Sequence, residues 1–132
     1  MKTSIDRSAF RTMALMAGFL VAAGPAAAGC ALEITFKNDL NVSATLDIEQ
    51  TKVRVMGPGT NPIPSGPYVR FMDESVTIPA NGSRMRHASL AQGCNAGPRD
   101  FKFFFAADSQ VYRVNKFVVT AVDKKFNVRI KD

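Results

Sequence analysis

Between Asp100 and Ala107 the chain reads Asp-Phe-Lys-Phe-Phe-Phe-Ala-Ala, and no other strand's length of it holds as many aromatic groups. At a period of two, Phe101, Phe103 and Phe105 share one face while Lys102, Phe104 and Ala106 share the other. A strand that is aromatic on one face and half apolar on the other belongs inside a sheet, with its Phe face pressed against a second layer. This stretch is the expected core of the fold.

Residues 1–28 read as an address rather than as part of that fold. Lys2, Arg7 and Arg11 precede an apolar run from Met13 to Ala23, Gly24-Pro25 breaks the run, and Ala26-Ala27-Ala28 offers a small-residue cleavage site. The run falls short of the roughly 20 apolar residues that span a bilayer, so a cleaved signal is expected, with no transmembrane segment in the mature chain. Arg7 and Arg11 stand apart, which favours the general secretory route over the twin-arginine route. The expected location is therefore periplasmic or secreted, with cleavage near Ala28.

Two cysteines, Cys30 and Cys94, lie beyond that cleavage point. An even count in an exported chain reads as a disulfide. Closing a loop of about sixty residues stabilises a fold by about 4 kcal/mol in the chain-entropy picture. Ala27-Ala28-Gly29-Cys30 also resembles a bacterial lipoprotein signal, in which Cys30 is lipidated and anchors the chain. That pattern has a bulky aliphatic residue where Ala27 stands, and the departure favours the bridge.

Residues 29–132 form one domain by length. Setting aside Lys2, Arg7, Arg11 and Asp6 from the 17 basic and 11 acidic residues leaves 14 and 10, a moderately basic and dispersed balance. Along this portion, short alternating segments follow one another with turn chemistry between them. Leu32, Ile34 and Phe36 alternate with Glu33, Thr35 and Lys37. Asn38-Asp39 and Asn41 then predict a hairpin into Val42, Ala44, Leu46 and Ile48. Val53 and Val55 continue that second strand after a bulge near Thr51. Met56 to Pro67, rich in Gly and Pro, is a loop. After Tyr68 to Phe71 and Val76 to Ile78, Pro79-Ala80-Asn81-Gly82 predicts a second hairpin, with Ser83 to Leu90 returning. Beyond the Phe strand, Asp108-Ser109 turns into Val111 to Val114, Phe117 to Val122 follows, and Asp123-Lys124-Lys125 leads to Phe126, Val128 and Ile130.

About eight or nine short strands at such spacing predict an all-β fold, a single antiparallel β-sandwich. A small closed barrel is the alternative. With Cys30 at the mouth of the first strand and Cys94 just before the Phe strand, the layout resembles exported immunoglobulin-like and cupredoxin-like sandwiches in architecture alone.

The inventory of reactive groups is thin. His87 is the single histidine, and no nucleophile elbow, phosphate loop or dinucleotide fingerprint accompanies it. Most carboxylates sit beside turns, as Asp39, Asp73, Glu74, Asp108 and Asp123 do, which is where solvated acids collect. Met85 and His87 lie two apart on one strand face, with Met56 and Met72 in nearby loops. Thioether plus imidazole is a ligand set suited to Cu(I), although the Cys, His and Met cluster of a blue-copper site is missing. The other concentration is basic. Arg84 and Arg86 share the opposite face of the same strand, about 7 Å apart, and Arg99 follows. Guanidinium groups so placed clamp an acidic partner, form a solvated face, or protect an edge strand by charge. Nucleic acid is not an expected partner, because the aromatics keep to the apolar period and do not interleave with the basic residues.

The expected function is a non-enzymatic binding or accessory module of the bacterial envelope. Its partner is a protein or anionic envelope component met by Arg84, Arg86 and Arg99, and no cofactor is expected. The alternative is a small copper carrier or exported enzyme built on His87.

Overall fold

The computed structural model describes residues 29–57 and 62–132, so the expected signal at 1–28 and the centre of the Met56–Pro67 loop lie outside the described residues. Among the described residues the strands are, in chain order, β1 (Cys30–Asn38), β2 (Ala44–Leu46), β3 (Lys52–Val55), β4 (Val69–Arg70), β5 (Thr77–Ile78), β6 (Ser83–Leu90), β7 (Arg99–Ala107), β8 (Gln110–Val118) and β9 (Lys125–Ile130). A short 3-10 turn lies at Cys94–Ala96. No helix among the described residues is long and apolar enough to cross a membrane.

The expected all-β sandwich is what forms. A three-stranded sheet in the order β9-β1-β6 covers a six-stranded sheet built on β7. β8 pairs with β7 along its whole length on one side, and β2 and β3 line up end to end on the other, flanked by β5 and β4. The aromatic stretch sits where its periodicity places it. Phe101, Phe103 and Phe105 are buried, and Phe36 of β1 meets Phe103 and Phe105 edge-on at 5.7 and 5.8 Å. Phe71 and Phe126 close on the same rings from two further directions, at 5.3 and 5.2 Å from Phe101. Each such pair adds about 0.5–1.5 kcal/mol beyond its buried area.

The break between β2 and β3 is larger than a one-residue bulge, yet the ladder survives it. The Asp47 N–H donates to the Phe104 carbonyl at 2.8 Å, and the Phe104 N–H donates to the Thr51 hydroxyl at 3.1 Å. The side chain of Thr51 thus stands in for a missing backbone acceptor, which keeps both polar groups of a half-buried residue satisfied. Thr51 is fully buried as a result.

Both expected hairpins at Asn-rich turns are instead crossovers between the sheets. β1 pairs with β9 and β6, and β2 pairs with β5 and β7, so Asn38–Asn41 carries the chain from one layer to the other. Pro79–Gly82 does the reverse, from β5 to β6. Asn81 does take the left-handed conformation its turn requires, at φ 55°, and the Gly82 N–H donates to the Pro79 carbonyl at 3.0 Å. Turn chemistry sets the reversal, and Asn38 bridges the two crossovers. Its buried amide donates to the carbonyls of Val42, Ile78 and Pro79 at 2.8, 3.1 and 3.2 Å and accepts the Leu40 N–H at 2.9 Å. One side chain therefore pins both crossovers together.

Two further differences lie at the C-terminal end. The expected segment Val111–Val114 and the start of Phe117–Val122 merge into the unbroken β8, which leaves the β7 hairpin through Asp108 and Ser109, both at positive φ, while Val119–Val122 forms a turn. β9 then runs parallel to β1, from Lys125 opposite Glu33 to Ile130 opposite Asn38, within an otherwise antiparallel arrangement. The disulfide joins Cys30 to Cys94 as expected, 64 residues apart, and ties the head of β1 to the turn before β7.

Candidate functional site

Among the described residues β6 is an edge strand, paired with β1 alone, and its two faces differ. Arg86 lies opposite Ile34 and Arg84 opposite Phe36, so both arginines stand on the core-facing side of the sheet, in line with buried Ala88 and Leu90. Met85 and His87 stand on the solvent side, opposite Thr35 and Glu33. The sandwich does not extend over the Ser83 end of β6: Arg84 is exposed and Arg86 half-buried.

The hydrogen-bond phase of the edge follows from one bond. The Asn38 N–H donates to the Gly82 carbonyl at 2.8 Å, so bonded pairs recur at every second position, Phe36 with Arg84, Ile34 with Arg86 and Leu32 with Ala88. Ser83, Met85, His87 and Ser89 accordingly turn their N–H and C=O groups outward. Two of those outward carbonyls are covered by the strand's own side chains. Arg84 Nη1 donates to the Ser83 carbonyl at 2.8 Å, and Arg86 Nη1 to the Met85 carbonyl at 2.9 Å. Neither arginine pairs with a carboxylate among the described residues, where the ion pairs are Arg54–Asp100, Arg70–Glu49 and Arg129–Asp39.

Beside β6 lies a groove. One part, about 390 Å³, is walled by Val53, Val55, Pro67 and Leu90, with Arg54 and Arg70 at its side. A second part, about 430 Å³, carries Arg86 and His87 on one wall and Asp73 and Glu74 on another. The two share Phe71, Asp73 and Ser89, so they form one depression between β6 and the segment that follows β4. At its flank Tyr68 is held between cations, with Arg54 4.3 Å and Lys102 4.0 Å from the ring centroid. The Tyr68 hydroxyl donates to Asp100 at 2.6 Å. Partial burial, followed by that bond and the Asp100 charge, raises its pKa.

The structure does not bring Arg99 together with Arg84 and Arg86. Its side chain is 1% exposed. Nη1 donates to the Gly97 carbonyl and the Thr120 hydroxyl, and Nη2 to the carbonyls of Gln92 and Gly93, at 2.6 to 3.0 Å. Burial lowers its pKa from the ordinary arginine value, and it stays cationic at neutral pH. Four carbonyl and hydroxyl dipoles replace its water, and the turn Gln92–Gly97 is gathered around it. Arg99 also forms part of the groove's floor.

Met85 is 43% exposed, whereas Met56 and Met72 are buried at 8% and 4%, so the thioethers divide between solvent and core. Among the described residues no group of three or more His, Cys, Asp and Glu side chains gathers. The arrangement on β6 is suited to holding carboxylates, through two guanidinium groups with forked donors. The sequence did not join Phe71 to Glu74 with β6, because the two meet only through tertiary packing. It had the means to place the arginines, since Ala88 and Leu90 share their parity.

Comparison with protein families, with curated proteins and with solved structures finds no match for this chain.

Proposed function

We propose that the chain is an exported, non-enzymatic binding module that recognises an acidic partner of the envelope along the β6 groove. The observation that carries this reading is the pair Arg84 and Arg86, two guanidinium groups on an open edge that pair with no carboxylate among the described residues. The Cys30–Cys94 bridge supports an oxidising compartment, where such bonds form and persist. A rigid two-layer frame with a groove at its open side supports binding over catalysis.

The test is a set of unstructured synthetic peptides of equal length, acidic or basic, offered to the mature domain at low salt and at about 1 M salt, where screening shortens to about 3 Å. Acidic peptides are expected to bind and to weaken as salt rises. Arg84→Glu with Arg86→Glu is expected to slow association more than it speeds dissociation. Binding indifferent to salt and to charge reversal overturns the reading.

A further inference from the structure

The geometry of β6 points to the way such a partner is held: we propose that it binds as an extended acidic strand added to the free edge of β6, with Arg84 and Arg86 moving from the strand's own carbonyls to the partner's carboxylates. This proposal rests on the acidic-partner reading and goes further, naming the backbone as the main contact.

Strand addition needs a row of unpaired backbone groups, and β6 offers one. The outward N–H groups of Ser83, Met85, His87 and Ser89 lie free of the β1 ladder, as do their carbonyls. An exposed edge of this kind pairs with any extended chain unless it is guarded. Here the guard is the bond from Arg84 Nη1 to Ser83 and from Arg86 Nη1 to Met85, which occupies two of the outward acceptors with cations. A neutral or basic strand meets capped carbonyls and positive charge. An acidic one offers the guanidinium groups a stronger, charge-assisted partner, and their departure uncovers the carbonyls for its own N–H groups.

The side chains of β6 also dictate the pattern of the strand it accepts. Cross-strand neighbours share a face. Positions opposite Arg84 and Arg86 are therefore acidic, and positions opposite Ala88 and Leu90, beside the apolar groove floor at Phe71, are aliphatic. Alternate side chains then enter the groove while the backbone supplies the affinity, as in other cases of strand addition. Antiparallel pairing with a second copy of this chain about Arg86 sets that cation directly against its own equivalent.

The probe is the peptide Thr-Glu-Thr-Glu-Thr-Val-Thr-Val-Thr and its reversed sequence, which cover both strand directions, with Lys-for-Glu versions as controls. Amide hydrogen exchange, read residue by residue by NMR, is expected to slow by more than an order of magnitude at Met85, His87 and Ser89 when the peptide binds. Peptides N-methylated at every second residue supply the other arm. One phase of methylation is expected to abolish binding and the other, whose methyl groups face solvent, to leave it intact. Should the acidic peptide bind in a salt-sensitive way with those amides still exchanging freely and both methylated phases binding alike, strand addition is wrong and the acidic-partner reading stands. Should the Lys peptides bind as well, or no peptide bind at all, both fall. Protection of the same amides in the protein alone, rising with its concentration, assigns the edge to a second copy and overturns the proposal.

Discussion

β7 and β6 are nearly equal in length, nine and eight residues, and each carries arginine on its inward face, yet the two treat it in opposite ways. In β7, flanked on both sides, Arg99 continues the face of Phe101, Phe103 and Phe105 and is enclosed by four hydrogen bonds. In β6, flanked on one side, Arg86 and Arg84 continue the face of Ala88 and Leu90 and emerge into solvent. A central strand has to satisfy every polar group it turns inward, because water does not reach it. An edge strand is free to let its inward face run out of the core, and a cation placed there bends round to the backbone edge. The first arrangement makes structure, and the second leaves two cations at the surface with hydrogen bonds to adjacent backbone alone.

The largest expected effect comes at the centre of β7. Phe103 touches Phe36, Phe71, Phe101 and Phe126, so Phe103→Ala removes a ring on which four others rest. A loss of about 3–5 kcal/mol is expected from urea unfolding, the range for a fully buried Phe truncation. A loss under about 0.5 kcal/mol, typical of a surface site, places β7 outside the core and ends the comparison at its buried end.

Arg99→Met sharpens the comparison within the same strand. Methionine keeps the apolar stem and removes the donors, which leaves the carbonyls of Gln92, Gly93 and Gly97 without that partner. The expected destabilisation is about 2–3 kcal/mol, the order for buried polar groups deprived of a bond. Protease cleavage within Gln92–Gly97 is expected to rise with it, since the turn loses its centre. Unchanged stability together with unchanged cleavage refutes the view of Arg99 as the organiser of that turn.

These contrasts also mark how far the sequence was legible. The period of two in Phe101–Phe105 and Leu32–Phe36 placed the core and the layered all-β fold, because burying large apolar groups admits few alternatives. The Cys30–Cys94 bridge followed from an even count and an expected export signal. What stayed hidden was long-range. Asn38 and the Asn81-Gly82 turn carry strong hairpin chemistry, yet both are crossovers, bridged by the bonds from Asn38 to the carbonyls of Ile78 and Pro79, 40 and 41 residues away. The site divided in the same manner. Arg84 and Arg86 stood out as a basic pair, whereas Arg99, identical in type and close in sequence, is distinguished only by Thr120 and the Gln92–Gly97 turn that enclose it.

The smallest expected effect on stability, and the one that tests the edge itself, is Arg84→Ala combined with Arg86→Ala. Both guanidinium groups make their hydrogen bonds to adjacent backbone at the surface and neither completes an ion pair among the described residues. Their joint removal should cost no more than about 0.5 kcal/mol in urea unfolding. It should nonetheless change behaviour in solution. The carbonyls of Ser83 and Met85 lose their cover, the like-charge barrier to pairing two β6 strands disappears, and an unguarded edge is a template for association. Light scattering against concentration is expected to show self-association in the double variant and none in the parent. A loss of several kcal/mol without self-association makes the arginines packed members of the core, as Arg99 is, and erases the distinction between the two strands.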